Sequence, residues 1–556
     1  MKRAIMWTVL LNCAGWLALS QSSEPAPRFE IADVHASAKA VNPFVRNVPV
    51  RGGRYEVKNA TMVDLIRIAY GYDANKILGG PNWLEMDRYD VVAKVPAGST
   101  PEAHKVMLQS LLEDRFKLAL HKETRPLLTY ALTVGKKPQL KEADGKEGPG
   151  CRPQTASGGP AEGEIMFMAE TNGVPTRISL GPGMTIHYMC RNITMAAFAA
   201  GLRGMMGSSV GPNQVLDETG LEGNWNFDIK WSMQFIGGMG DASDRISVFD
   251  AVEKQLGLKL EQRQIPTPVL VVDRVNEKPS DNPPGVAEAL PAIPLLTEFE
   301  VASVKPSDPG GRGGRFQVQA GGRVNIESMT LRFLITRAFG QGPVVMGGEQ
   351  VAGIPSWADT ERFDIVAKAP SAGPSAPALD MEAATPMLRA LLVDRFKMKF
   401  HTESRPVSAY TLVSVKPKMT KADPASRTSC KNSQAPPGSP PGSQILTCQN
   451  ITMAQFADRL QNMAPELSWP VLDSTGTEGG WDFTLTFSRM AGMMMGRGRG
   501  GDPGPADGAT PVASEPSGSL TVFEAVEKQL GLKLEMHKRP MDVIVIDHIE
   551  QKPTEN

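Results

Sequence analysis

Neither sign of charge predominates in this chain: 59 Lys and Arg stand against 60 Asp and Glu, a formal net charge of −1. That balance argues against nucleic-acid binding by a broadly basic surface and leaves room only for a local patch. Aromatic residues are scarce at 6%, and 556 residues include only 5 cysteines and 7 histidines. No C-x-x-C occurs, so a compact zinc site lacks its signature. The glycine clusters "GGRGGRF" from Gly310 and "GRGRGGD" from Gly496 lack the Gly-Lys-Ser/Thr ending of a phosphate loop and read as linkers. Beyond the N-terminus no apolar run is long enough to span a bilayer. What remains, 41% apolar and 21% charged residues, is globular in composition, and the length exceeds one ordinary core.

The N-terminus reads "MKRAIMWTVLLNCAGWLALSQSSEPAP". Lys2 and Arg3 precede a mostly apolar run from Ala4 to Leu19, and Ala18 and Ser20 are small residues placed for a cut after Ser20. Residues 1–20 are therefore expected to be a secretory signal peptide, with a periplasmic or secreted mature chain and no membrane span after cleavage. An uncleaved anchor is the main rival. Lipidation of Cys13 is another, disfavoured by Asn12 before it. Four cysteines then remain, Cys151 with Cys190 and Cys430 with Cys448. An even count after an export signal predicts one disulfide in each half, worth roughly 3–4 kcal/mol apiece by loop closure. A metal site is the competing reading, and no reproduced histidine stands near these cysteines.

The chain is one module written twice. "FEIADVHAS" at Phe29 returns as "FEVASVKPS" at Phe299, and "RYDVVAKVP" at Arg88 as "RFDIVAKAP" at Arg362. "DRFKLALHKETRP" at Asp114 returns as "DRFKMKFHTESRP" at Asp394. "CRNITMAAF" at Cys190 matches "CQNITMAQF" at Cys448, and "VFDAVEKQLGLKLE" at Val248 matches "VFEAVEKQLGLKLE" at Val522. The landmarks keep their order, which chance does not produce. We expect a first module over 27–278, a Pro-rich linker over 279–296 and a second module over 297–556.

Inside each copy, Met62, Leu65, Ile66 and Ala69 form the apolar stripe of a short helix, as Leu331, Leu334, Ile335 and Ala338 do later. Ser247 with Asp250 and Thr521 with Glu524 fit helix starts, and Gly257 and Gly531 fit helix stops. Later helices are each followed by two short strand-like runs, such as "FKLALHKE" then "LTYALTV" and "LKLEQRQ" then "PVLVVDRV". Helix–strand–strand units of this kind predict an α+β fold, with antiparallel-rich sheets packed by short helices. The runs 141–189, 417–447 and 490–518 are expected to be unfolded, the last having no helical or strand period.

His121, Glu123 and Arg125 alternate, as do His401, Glu403 and Arg405, so a strand would present each set on one face. The sharp reading is an acid–base or ligand triad. The plain one is a solvent-facing strand whose charges pair with neighbouring strands or with the preceding Asp-Arg. Other motifs are weaker. "GSSVG" at Gly207 matches a nucleophile elbow in letters only, since a helix precedes it and a strand follows. Met493 to Met495 are soft ligands for Cu(I), yet they read more simply as linker residues. Asp217-Glu-Thr-Gly220 and Asp473-Ser-Thr-Gly476 carry one residue too many for the aspartic-protease turn and read as β-turns. No catalytic residue, metal or cofactor is assigned.

Together, "FEVASVKPS", "RFDIVAKAP", "LLVDRFKMKFHTESRP", "NITMAQFADRL", "VLDSTGTEGGWDF", "AVEKQLGLKLE" and "VIVIDHIEQKPTEN" resemble the soil-associated bacterial family called domain of unknown function 3738, once per half. The first half departs from these phrases only conservatively, at "DVVAKVP" and "VLVVDRVNEK". The resemblance implies an exported, often expanded family without an established activity, so it carries no catalytic residue onto this chain. In pattern, the final helix–strand–strand is also similar to the short N-terminal domain of secretins and TonB-dependent receptors, an envelope interaction module. Two functions are therefore expected to compete. One is a non-catalytic binding or assembly module for an unknown envelope protein or cell-wall ligand, present twice. The other is an exported enzyme, of hydrolase class, using the His-x-Glu-x-Arg face. A concave polar pocket around both histidines would favour the enzyme, and an open face the binding module.

Overall fold

The computed structural model describes residues 26–38, 45–154, 165–171, 174–181, 185–206, 214–232, 246–291, 296–308, 314–319, 321–340, 348–370, 379, 381–434, 443–463, 467, 469–488 and 520–555. The signal segment, the "GSSVG" run, Met493–Met495 and the whole of 490–518 lie outside these residues. The fold is α+β in two tandem homologous modules.

In the first module β1 (Ile31–Ala36), β2 (Arg46–Arg51) and β3 (Arg54–Thr61) lead into α1 (Met62–Tyr70). β4 (Ile77–Gly79) and β5 (Arg88–Lys94) then lead into α2 (Pro101–Phe116), which feeds β6 (Ala119–Val134). The succession now repeats. β7 (Lys141–Glu142), β8 (Gly150–Pro153), the hairpin β9 (Ile165–Thr171) and β10 (Val174–Leu180), and β11 (Thr185–Ile193) lead into α3 (Met195–Met206). β12 (Val215–Asp217) and β13 (Trp225–Ser232) lead into α4 (Val248–Leu256), which feeds β14 (Leu258–Arg274). The sheets run β1-β5-β3-β2 and β7-β13-β11-β8, the same order built from corresponding strands. Each module is thus two half-units made alike.

Local chemistry confirms the correspondence. β3 bulges between Val57 and Ala60, and β11 between Cys190 and Ile193. At each bulge an asparagine takes positive φ, Asn59 at 53° and Asn192 at 45°, where a short polar side chain is tolerated. The amide of each donates to the neighbouring strand, to Asp90 Oδ1 at 2.9 Å and Asn226 Oδ1 at 2.8 Å. The second module repeats both devices, with Ser328 donating to Asp364 Oδ1 at 2.8 Å and Asn450 to Asp482 Oδ1 at 2.7 Å.

A third sheet, β12-β6-β14-β4, joins the half-units. β6 leaves the first half-unit and pairs with β12 of the second, while β14 runs back to pair with β4. Each therefore ends in the other half's core. Leu270 and Val272 of β14 pack with Ile66, Leu108 and Phe116. Leu132 of β6 packs with Phe198, Ile229 and Leu256.

Here the structure corrects the sequence reading. The paired short runs are single strands, 16 residues in β6 and 17 in β14. The prolines that seemed to divide them face each other, Pro126 opposite Pro266. Opposed residues of an antiparallel pair alternate between exchanging two hydrogen bonds and none. Two facing prolines fit the pair that exchanges none, so the ladder loses nothing. Their missing N–H groups fall on the outer edges, which β12 covers only at Tyr130–Leu132 and β4 only at Leu270–Val272. A proline there also discourages strand addition.

A second correction concerns 141–189 and 417–447, which carry strands, among them β7 and β8. β7 and β8 are only two and four residues long. They are ordered by pairing with β11 and β13 rather than by any period of their own. The Pro-rich linker, too, begins as part of the first module. α5 (Val286–Ala289) places Val286 and Leu290 on Val92 and Ile31, and Arg54 donates to Pro291 O at 2.9 Å.

The second module follows with β15 (Val301–Pro306), β16 (Arg315–Gln319), β17 (Arg323–Thr330), α6 (Leu331–Phe339), β18 (Val351–Ala352), β19 (Arg362–Lys368), α7 (Met381–Arg395) and β20 (Lys399–Ser414). Its other half-unit contains β21 (Thr420–Lys421), β22 (Ser429–Gln434), β23 (Ser443–Ile451), α8 (Met453–Met463), β24 (Val471–Asp473) and β25 (Trp481–Ser488). It ends with α9 (Val522–Ala525), continued as a π-helical turn to Leu530, and β26 (Leu532–His548). The sheet orders are those of the first module, and Pro406 faces Pro540 across the long ribbon.

The doubled phrase beginning Asp-Arg-Phe now has a structural reason. Arg115 is 9% exposed and donates to Ala32 O at 3.2 Å and Ser280 O at 3.0 Å, tying β1 to the chain beyond β14. Arg395 does the same with Ala302 O at 3.3 Å and Glu555 O at 2.6 Å. Each guanidinium fastens the two ends of its module together.

Gly257 and Gly531 end α4 and the π-helical turn at φ 68° and 67°. A Cβ at Gly257 would overlap Lys137 O, and one at Gly531 would overlap Lys416 O. Gly257→Ala and Gly531→Ala therefore meet both a left-handed backbone and a backbone clash. Each is expected to lose about 2–3 kcal/mol in urea unfolding. A loss under about 0.5 kcal/mol would refute this account.

Candidate functional site

The alternating charges lie on the long strands, at the end of each ribbon nearer the first half-unit. His121 Nδ1 contacts Asp273 Oδ1 at 2.8 Å and Oδ2 at 3.0 Å, and its Nε2 lies 3.7 Å from Glu123 Oε2. Arg125 donates to Glu123 from Nε at 3.0 Å and Nη2 at 2.9 Å. In the second module His401 Nδ1 contacts Asp547 at 2.9 and 3.0 Å, and Nε2 lies 3.4 Å from Glu403 Oε2. Arg405 donates to Glu403 there as well. Each row thus reads Asp–His–Glu–Arg. Each histidine pairs with the neighbouring strand and each glutamate with the arginine of its own strand, not with the preceding Asp-Arg. Asp114 instead meets Arg28.

Asp273 and Asp547 are the members that the sequence reading missed. The signal was present, because "VVD" and "VID" stand at the same place near the end of each last strand. Their pairing with the histidine depends on a ribbon register that no local pattern encodes.

The row is open. Side-chain exposure is 50% for His121, 40% for Glu123, 48% for Arg125 and 46% for Asp273. Beneath it the strand is apolar: Val271 opposite His121 and Val269 opposite Glu123 are buried. Val545 and Val543 hold these places below His401 and Glu403. Long charged side chains can cover such valines while keeping their heads in water. A shallow groove of about 560 Å³, lined in part by Tyr70, Lys117, Lys122 and Arg274, passes His121. Its lining also includes Glu113 and Asp114, and it brings no second imidazole to that ring. Among the described residues no group of three or more His, Cys, Asp and Glu side chains is placed to hold a metal ion.

The electrostatics follow from the geometry. The hydrogen bond to Asp273 raises the His121 pKa above the ordinary imidazole value. Asp547 first and Glu403 second do the same for His401. Arg125 holds the Glu123 carboxyl below the usual range, and Arg405 with His401 does so for Glu403. Glu123 and Glu403 are thereby held ionised and both imidazoles are favoured in their protonated form, so each row presents paired charges.

The remaining candidates resolve simply. Asp217 Oδ1 accepts from Thr219 N at 2.9 Å and Thr219 Oγ1 at 2.7 Å, and Asp473 accepts from Thr475 N and Oγ1, both at 2.8 Å. With Gly220 and Gly476 at φ 66° these are side-chain-closed turns. Cys151 stands opposite Cys190 on β8 and β11, and Cys430 opposite Cys448 on β22 and β23, each pair disulfide-bonded. Each crosslink pins a polar edge strand to the core of its second half-unit.

The histidines give a direct check. In an NMR titration His121 and His401 are expected to titrate above an exposed histidine, and Asp273→Asn and Asp547→Asn to bring each back towards the ordinary value. Protonation is favoured in the folded state. The pairs therefore stabilise the fold below the ordinary imidazole pKa and lose that contribution as pH rises through the raised value. A histidine that titrates at or below the ordinary value means that the ribbon register places no carboxylate beside it.

Among curated proteins and among solved structures, none matches this chain. One family model does match, over residues 63–275 and again over residues 333–549, once in each module. The chain therefore belongs to the family described as Protein of unknown function (DUF3738), in two tandem copies.

Proposed function

We propose that this is an exported, non-catalytic binding or assembly protein of the cell envelope, whose two modules present the same charged face to an envelope protein or cell-wall ligand. The observation that carries this reading is the recurrence of an open Asp–His–Glu–Arg row in both modules while exposed neighbours on the same strand drift. Lys122 is replaced by Thr402, and Thr124 by Ser404, all four exposed. Fixed, alternating charges on an open face suit recognition of a partner with repeated charges, and two such faces on one chain raise the effective concentration of the second contact. The exported-enzyme reading has less support, because every carboxylate of the row is engaged by a cation beside it. Export is supported by the N-terminal segment and by one disulfide in each module, an arrangement suited to an oxidising compartment. No described helix is long and apolar enough to cross a membrane.

The test uses the full-length chain against purified cell-wall fragments and against envelope proteins. Arg125→Glu with Glu123→Lys, or Arg405→Glu with Glu403→Lys, disrupts one row, and the four substitutions together disrupt both. Loss of a single row is expected to weaken binding about 100-fold by removing avidity, and loss of both to abolish it. Binding indifferent to both rows refutes the proposal. Turnover abolished by His121→Ala with His401→Ala would replace it with the enzyme.

A further inference from the structure

Where the modules meet, an arginine that sequence reading passed over crosses between them, and Arg459 of α8 adds a second positive charge near Glu85. Arg427 lies in the loop between β21 and β22, shortly before Cys430, and its side chain enters the first module. Nη1 donates to Ile77 O at 2.7 Å and Glu85 Oε1 at 3.3 Å, and Nη2 donates to Gly79 O at 2.8 Å. Beside it Thr428 N donates to Asn82 O at 3.1 Å, and Asn82 Nδ2 to Pro424 O at 3.5 Å. The loop that presents the guanidinium is braced from within. Asn450 Nδ2 donates to Ser426 O at 2.6 Å, and Thr428 Oγ1 donates to Asn450 O at 2.9 Å. The Arg427 side chain is only 17% exposed and Glu85 only 21%. A rigid fork serving two carbonyls and a carboxylate is a task for arginine and not for lysine.

A contact between unlike surfaces of two like modules has an inherent hazard. If both modules carried both surfaces, chains would link head to tail without end. The sequence differs between modules at the two positions that matter. Aligned on the cysteine, "DGKEGPGC" stands against "DPASRTSC", so Gly148 occupies the place of Arg427. The receiving loop does recur in the second module, with Gly353 at φ 75° where Gly79 has 69°, and a 3-10 turn at Ser356–Asp359 where the first has Asn82–Glu85. Its carboxylate, however, is engaged within the module. Arg332 of α6 binds Asp359, with Nη2 to Oδ2 at 3.1 Å. Counted from the capping threonines Thr61 and Thr330, the residue of α1 at that place is Val63.

We propose that the Ile77–Glu85 loop is a docking site for the Cys430 loop of the second module, and that Gly148 and Arg332 restrict this contact to a single use within one chain. The first module offers an open carboxylate and no finger. The second offers a finger and a carboxylate already paired with Arg332. The two charged ribbon faces are then held in one fixed relation.

The experiment uses the full-length protein throughout. Arg427→Gln is expected to increase the maximum dimension in small-angle scattering and to speed hydrogen exchange of the Thr428 amide about 10-fold or more. Glu85→Gln, on the opposite module, is expected to produce the same expansion. If neither expands the particle, the docking site is refuted. If only Arg427→Gln does, its effect lies in its own loop and the proposal falls equally. Single use is tested with Gly148→Arg combined with Arg332→Val, followed by sedimentation velocity. Gly148 has open surroundings, where an added Cβ meets only the Arg152 guanidinium at 3.8 Å. The double variant is expected to self-associate as its concentration rises, and one that stays monomeric refutes the restriction.

Discussion

The structure of each module depends on one constraint, the continuity of a long two-stranded ribbon through a facing pair of prolines. Were β6 to break at Pro126 or β14 at Pro266, each half-unit would lose the strand supplied by the other. Leu270 and Val272 would leave the core around Phe116, and Leu132 the core around Phe198. Opposed prolines are tolerated because both occupy a position of the ladder that makes no hydrogen bond. The same pair removes donors from the outer edges of the ribbon, where an intruding strand would otherwise find a template. Connection and protection thus arise from one local arrangement.

Crossing strands also explain why so much of the chain recurs. A half-unit that gives away its last strand cannot complete its core alone, so bulge, helix cap and proline recur in both halves. Asn59 and Asn192, then Ser328 and Asn450, mark this fourfold rhythm with their positive φ values. The arginines of the Asp-Arg-Phe phrase close each module by holding its two chain ends. Little of the repeated sequence is then free to vary without cost. The charged rows differ in this respect. They sit on the open side of the ribbon, where most substitutions would be tolerated, and their repetition is better explained by what they meet than by what they support.

The modules are alike in fold and unlike in how they meet. Arg427 and Gly148 occupy one position, and Val63 and Arg332 another, and these two differences turn a duplicated scaffold into an ordered pair. At the second position the first module keeps Val63 in its core, whereas Arg332 turns to Asp359.

Periodicity and repetition carried a good deal of this in advance. The duplication and the cysteine pairing within each half are legible from repetition and an even count. The stripe Met62, Leu65, Ile66 and Ala69 and the caps at Thr521 and Gly531 follow from short-range rules acting on neighbouring residues. So does the common face of His121, Glu123 and Arg125, which needs only the alternation of a strand. The prolines, by contrast, read locally as breaks, because whether a proline interrupts a ladder depends on the residue opposite it. Asp273 joins His121 only through ribbon register, β7 and β8 are ordered by partners far along the chain, and Arg427 finds its carbonyls in a different module. Composition and spacing record what a residue does to its neighbours. Which distant groups share a hydrogen bond is settled when the cores close, and the composite charged row and the junction between modules come into being only then.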